Sequence, residues 1–214
     1  MDRLFFDVDG VLLNFEHAFV KWLNEKYNLG IPPDYEATNW YFEDVMPAEQ
    51  CKEAWHMFLE APEAGTMKPY LDPARFNALT SGRPVHLLTN FPEHLFDKRI
   101  GNLSAHGFRY ESIHHCGFHA FQDRGVSTKS TMIGQLIRPN ERALFLDDHP
   151  DNCVDVVQNC PGVEVWLMTR RFNRDFAHPS VRRAQNWTSV IERMESVLLP
   201  APVGEETLLL GGGK

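Results

Sequence analysis

The chain has 214 residues, 43% of them hydrophobic and 23% charged, with a formal net charge of -8. That length fits one domain with an insertion, or two small domains, and supplies enough apolar residues for a sizeable core. The acidic balance argues against a sequence-nonspecific binder of nucleic-acid polymer, which needs clustered Lys and Arg, but leaves room for a small phosphorylated partner, because a bound cation can reverse the sign of a pocket.

No stretch reaches the roughly 18 apolar residues of a membrane-spanning helix. The opening MDRLFFDVDG lacks the basic start and apolar run of a secretory signal. Cys51, Cys116, Cys153 and Cys160 form no CxxC pair and read as free thiols of a reducing, cytoplasmic compartment.

Taken along the chain, Leu4–Asp9 is the first of five short apolar runs that read as strands; the others are Val85–Asn90, Ser112–Gly117, Ala143–Asp148 and Glu164–Thr169. They are close to continuously hydrophobic, the pattern of parallel strands buried on both faces. Helical segments at Pro92–Ala105, Thr128–Ile137 and Pro150–Cys160 alternate with the later strands, which predicts a doubly wound α/β sheet.

The first interval is different. About 75 residues separate the first two strands, far more than a crossover needs. It contains Phe15–Tyr27, with Phe15, Phe19, Trp22 and Leu23 at helical spacing, and a second helix at Gln50–Leu59. Residues 14–81 are therefore expected to form a mostly helical cap over the sheet's carboxyl edge, with 1–13 and 82–200 as the core. Val181–Leu198 reads as a closing helix, and 201–214 as a loose tail.

Four motifs carry chemistry. In FFDVDG, Asp7 and Asp9 are two residues apart at a strand's end, so both are expected to face one space there, with Gly10 allowing a sharp turn. Two carboxylates side by side repel unless one protonates or a cation intervenes. In LFLDDHPDN, Asp147 and Asp148 end another apolar strand. A helix cap by Asp148 or His149 before Pro150 explains one acid but not two, and clustered carboxylate oxygens suit Mg²⁺. In HLLTN, Thr89 and Asn90 offer a hydroxyl and an amide to phosphate oxygens, although an ordinary Asn turn accounts for them equally well. In GVSTKSTMIGQL, Ser127 is the expected N-cap, which puts Lys129 in the first helical turn, where a cation is best explained by an anion held nearby.

In this order the four motifs resemble those of the haloacid dehalogenase-like superfamily: FDVDGVL the first, LLTN the second, Lys129 the third and FLDD the fourth. The resemblance implies a Rossmann-like core with a cap inserted after the first strand. It also implies a Mg²⁺-dependent phosphomonoester hydrolase. Asp7 would attack phosphorus and Asp9 would act as acid and base. Thr89, Asn90 and Lys129 would hold the phosphoryl group. Mg²⁺ would sit on Asp7, the carbonyl of Asp9, and Asp147 or Asp148.

Two short motifs near the end resemble the 5'(3')-deoxyribonucleotidases: Phe172-Asn173-Arg174 after the last strand, and a helix carrying Trp187 and Ile191. Thr89-Asn90 departs from the usual threonine–serine of that family. The resemblance makes nucleoside monophosphates the expected substrates. Trp40 and Phe42, which follow a loop and lack helical spacing, are read as a slot that stacks the base, although a small cap core accounts for either ring at least as well. A phosphosugar mutase or sugar phosphatase, or a non-catalytic regulatory protein on the same fold, are the other readings. His114, His115, Cys116 and His119 offer soft-metal ligands, but their spacing along a strand and loop directs them to no common point. Arg170, Arg171 and Arg174 would either meet substrate phosphate or cover the surface.

Overall fold

The computed structural model describes residues 1–117 and 127–198; His119 and the expected tail at 201–214 lie outside the described residues. Six parallel strands form one sheet in the order β3-β2-β1-β4-β5-β6: β1 Arg3–Phe6, β2 Val85–Thr89, β3 Ser112–His115, β4 Ala143–Asp147, β5 Val163–Met168 and β6 Val181–Ala184. Four of the five expected runs form the inner strands, and β1, β2 and β4 are buried along their whole length; the fifth, Ser112–Gly117, holds the edge strand β3. The edge strands β3 and β6 are only partly buried, and their sequences, SIHH and VRRA, are accordingly polar.

The closing segment differs from the helix expected over Val181–Leu198. Its first four residues pair with β5 as β6, and only Trp187–Leu198 is helical (α7). An edge strand buries little apolar side chain, so its two arginines disguised it. Ser127 is likewise not the cap of the helix Lys129–Leu136 (α5). Thr128 is, its hydroxyl accepting from the Thr131 amide.

From β1 the chain leaves through residues 10–14 and returns through residues 68–70. The two passages are bonded together, Asn14 N donating to Lys68 O and Tyr70 N to Leu12 O. Between them lie α1 (Phe15–Tyr27), α2 (Ala48–Glu60) and a short 3-10 turn at Pro62–Gly65. Phe15, Phe19, Trp22 and Phe58 pack ring against ring, so the helical spacing of the first three marks the interior of this segment. After the return comes α3 (Pro73–Leu79), whose Phe76 packs on Phe6 of β1 and on Trp187 of α7. With α4 (Phe96–His106), these helices cover one face of the sheet, in a hydrophobic cluster continuous with the inserted segment. Helix α5 and α6 (Pro150–Asn159) cover the other face.

At the β3 edge a polar row crosses three strands. The Arg3 guanidinium donates to Nε2 of His86, so the His86 proton sits on Nδ1 and is given to Ser112 Oγ; Ser112 then bonds His114. Burial first, and the Arg3 charge second, hold His86 below the usual imidazole range, and burial does the same to His114. A histidine kept neutral in the fold but free to protonate when unfolded gives stability that is present above the unfolded value and lost as pH falls below it. The share of stability these two histidines supply, read as the difference in urea midpoint between wild type and a variant lacking both, is therefore expected to fall between about pH 7.5 and about pH 5.5, across the ordinary histidine range. The double substitution His86→Gln and His114→Gln supplies that variant.

Candidate active site

Strands β1 to β3 run to one side of the sheet and β4 to β6 to the other, so β1 and β4 flank the point where the winding reverses. Crevices in open α/β sheets form beyond the carboxyl ends of strands at such a point. The acids of the first and fourth motifs stand there. Asp7 follows β1, its amide donating to Leu146 O, and Asp147 closes β4 beside it.

Lys129, at the first position of α5, is 1% exposed and reaches between them. Its Nζ lies 2.6 Å from Asp7 Oδ1 and 2.7 Å from Asp147 Oδ2. Burial opposes its charge, but Asp147 and Asp7 outweigh burial and hold the ammonium protonated well above its ordinary range. Asp147 also accepts from the His149 amide at 2.7 Å and from Asn152 Nδ2 at 3.1 Å.

Asp148 is different. It is 2% exposed, and its Oδ1 is buried without a hydrogen-bond partner. Burial, then repulsion from Asp147, pushes its carboxyl up to about 8. Asp7 is raised as well, chiefly by burial, with Lys129 opposing. Oxygens of Asp7, Asp147 and Asp148 all lie within 4.8 Å of one another. With all three ionised, three carboxylates against one ammonium leave an excess of two negative charges, which is what the raised carboxyls resist, and one Asp148 acceptor is orphaned. Hard oxygen donors in that arrangement fit a divalent cation such as Mg²⁺.

Gly10 makes the crowding possible. Its φ is +83°, and a Cβ there would sit 2.0 Å from Asp148 Oδ2. Gly10→Ala is therefore expected to cost about 1–2 kcal/mol in backbone strain alone, and more through displacement of Asp148. Thermal unfolding checks the first effect. Calorimetric titration with MgCl₂ checks the second, with weaker binding expected.

Asp9 is separated from the acid cluster. Thr89 Oγ1 donates to its Oδ2 at 3.4 Å, and Arg99 of α4 pairs with both carboxylate oxygens, Nε to Oδ2 at 3.2 Å and Nη2 to Oδ1 at 2.8 Å. Thr89 Oγ1 also accepts from the Phe91 amide. Asn90 turns its Nδ2 to the carbonyls of Cys116 and Gly117, tying the ends of β2 and β3 together, while its Oδ1 accepts from Asn152.

The aromatic pair divides. Trp40 is half-buried, with ring contacts to His149 at 4.5 Å and Phe172 at 5.1 Å as well as to Trp55 at 5.9 Å, so it bridges the helical segment and the residue after Asp148. Phe42 is 4% exposed and packs inward against Phe19 and Trp55, in the interior of the helical segment.

The late motifs support the site from behind. Asn173 Nδ2 donates to the carbonyls of Asp148 and Met168, and Arg183 of β6 holds Asn173 in turn. Trp187 Nε1 donates to Val11 O, just past Gly10. Arg170 lies flat on Tyr70 at 4.1 Å and donates to Gly10 O; Arg174 is at the surface near Glu36. His149 caps α6, its Nδ1 accepting from the Asp151 amide. His114, His115 and Cys116 diverge: His114 meets Ser112, His115 meets Phe91 O, and Cys116 is buried with its thiol toward the His114 carbonyl. Among the described residues, the acid trio is the one cluster suited to a metal. Arg99 lies in none of the motifs, and Asn152, the last residue of LFLDDHPDN, and Arg183 were not singled out as site residues.

The sequence matches no protein-family model and no curated protein. Solved structures do match. YfnB from Bacillus subtilis, a candidate haloacid dehalogenase-like hydrolase with bound magnesium, aligns over 91% of this chain and 98% of its own, with TM-score 0.55 and 16% identity. The fold is that of the haloacid dehalogenase-like proteins. Other structures of this fold that match are the L-2-haloacid dehalogenase from Xanthobacter autotrophicus (TM-score 0.53, 13% identity, 91% and 88% covered) and a candidate beta-phosphoglucomutase from Thermotoga maritima (0.52, 14%, 92% and 98%). The haloacid dehalogenase-like core expected from the four motifs is thus present. The candidate site stands where β1 and β4 meet, and no described helix is long and apolar enough to cross a membrane.

Proposed function

We propose that the chain is a Mg²⁺-dependent phosphomonoester hydrolase that works through an aspartyl-phosphate on Asp7. The observation that carries this reading is the division of Asp7 and Asp9 between two settings. Asp7 lies in the acid trio against Lys129, while Asp9 lies apart against Thr89 and Arg99. Two neighbouring carboxylates in different surroundings can take different chemical roles.

In the first step an oxygen of Asp7 bonds to phosphorus, the ester P–O bond breaks, and Asp9 gives its proton to the leaving alcohol. In the second step water attacks phosphorus and gives a proton to Asp9. The bond to Asp7 then breaks, and inorganic phosphate leaves. Lys129 neutralises charge on the transferring group and on Asp7 throughout. Asp7, Asp147, Asp148 and the Asp9 carbonyl would hold Mg²⁺, which supplies charge neutralisation for the phosphoryl group when bound. Dehalogenation has no use for Asp9, because halide departs without a proton.

The alcohol we favour is a nucleoside. Trp40, half-buried and in T-shaped contact with His149 and Phe172, is the aromatic ring we assign to the base, beside the residue that follows Asp148. The test is phosphate release from a panel of nucleoside monophosphates, sugar phosphates and small phosphoesters, with and without Mg²⁺. Release from nucleotides that EDTA abolishes supports the reading. A folded protein that frees no phosphate from any ester refutes it. Transfer between two positions of one sugar phosphate, without net release, would replace it with a mutase.

A further inference from the structure

We infer that Arg99 is a positioning residue that aims Asp9 for the second step, an inference that rests on the phosphatase reading above. Arg99 is completely buried, its guanidinium face 4.1 Å from the Phe91 ring. Its Nε donates to Asp9 Oδ2 at 3.2 Å and its Nη2 stands 2.8 Å from Oδ1 as an ion-pair contact without hydrogen-bond alignment, while Nη1 donates to Ala64 O at 2.8 Å and to Asn102 Oδ1 at 3.3 Å. An arginine buried so completely carries a desolvation cost, which pairing with a carboxylate and the Nη1 hydrogen bonds offset.

Docking of the inserted segment does not require that contact. Three other side chains of α4 already hold the same stretch of backbone. Lys98 Nζ binds the carbonyls of Leu59, Glu60 and Ala61 at the end of α2, and Asn102 and His106 both reach Met67 O. Arg99 alone among these continues to an acid of the site. With Thr89 also donating to Oδ2, the Asp9 carboxylate is held by two hydrogen bonds on one oxygen and an ion-pair contact on the other. A carboxylate so fixed has one direction in which to meet water, the requirement for a base whose partner must lie in line with the Asp7–phosphorus bond. Through Ala64 the same guanidinium senses the seat of the inserted segment, so the acid's aim and the cap's seating share one side chain.

Rapid-quench kinetics with p-nitrophenyl phosphate test this. Nitrophenolate leaves without a proton, so the first step bypasses Asp9 and only the second needs it. Arg99→Met is expected to give a burst of about one equivalent of nitrophenolate per site followed by turnover about 10²-fold slower, with phosphoenzyme accumulating beyond the wild-type level. Arg99→Lys keeps the charge but loses the fork, so it should show a partial burst and guards against misfolding of the methionine variant. Lys98→Met, which loosens the same docking without touching Asp9, should lower the thermal midpoint and leave the burst as in wild type. Slower turnover in both Arg99 variants without phosphoenzyme, or an equal burst in Lys98→Met, would overturn the inference. Wild-type protein that releases neither nitrophenolate nor phosphate would overturn the phosphatase reading and this one with it, and that result is seen before any variant is made.

Discussion

Lys129→Met is expected to destabilise the metal-free protein by about 3–5 kcal/mol, the scale for removing one partner of a buried ion pair. The ammonium stands between Asp7 and Asp147 at hydrogen-bonding distance from both, and all three groups are nearly or fully excluded from water. Methionine keeps much of the volume and removes the charge. Asp7, Asp147 and Asp148 are then left together without a cation, and the carboxyls must take up protons or draw in solvent. Mg²⁺ should restore part of the loss, because a cation bound to the folded state alone stabilises it by mass action. Urea unfolding with and without MgCl₂ measures both effects. Phosphatase activity should fall with the cation that faces the phosphoryl group, even in saturating Mg²⁺. A variant as stable as wild type in EDTA would show that the acids are not held together by Lys129.

Asp7→Asn separates chemistry from stability. Asparagine nearly matches the shape of aspartate but cannot form the acyl-phosphate, so turnover should fall by about 10⁴-fold or more, the scale of nucleophile removal in covalent catalysts. The fold should be unharmed. Burial raises the Asp7 carboxyl, and Asp147 and Asp148 add to that rise, so ionised Asp7 is a burden relieved only in part by Lys129. Removing one of three crowded negative charges is expected to hold the thermal midpoint or raise it. An Asp7→Asn variant that keeps a tenth of wild-type turnover would exclude covalent catalysis at this residue.

The parts of this arrangement that sequence alone revealed share a physical reason. A strand buried on both faces has little choice but apolar residues, so β1 and β4 stand out, and paired acids at their ends break the pattern where burial makes them costly. Lys129 was marked by a helix start that repels cations. Arg99 gave no such signal: its partner lies 90 residues away in the chain, and a single arginine within a helix looks like a solvated face. Asn152 was hidden for the same reason, a polar residue in an amphipathic helix whose role depends on tertiary contact. Phe42 and Trp40 were indistinguishable in sequence. Phe42 takes a φ of +57° and packs its ring inward, whereas Trp40 lies on His149 and Phe172, residues brought near only by the fold. β6 went unseen because an edge strand does not impose the apolar pattern by which strands are read.

The central claim is that Asp7 itself carries the phosphoryl group. Enzyme quenched during turnover of a favoured phosphoester, treated with borohydride and mapped by peptide mass spectrometry addresses it directly, since borohydride reduces an acyl-phosphate but leaves a free carboxylate unchanged. A reduced side chain is expected at Asp7, absent when substrate is omitted and absent in Asp7→Asn. An unmodified Asp7 peptide under conditions of rapid turnover, or reduction at another acid in its place, would contradict it.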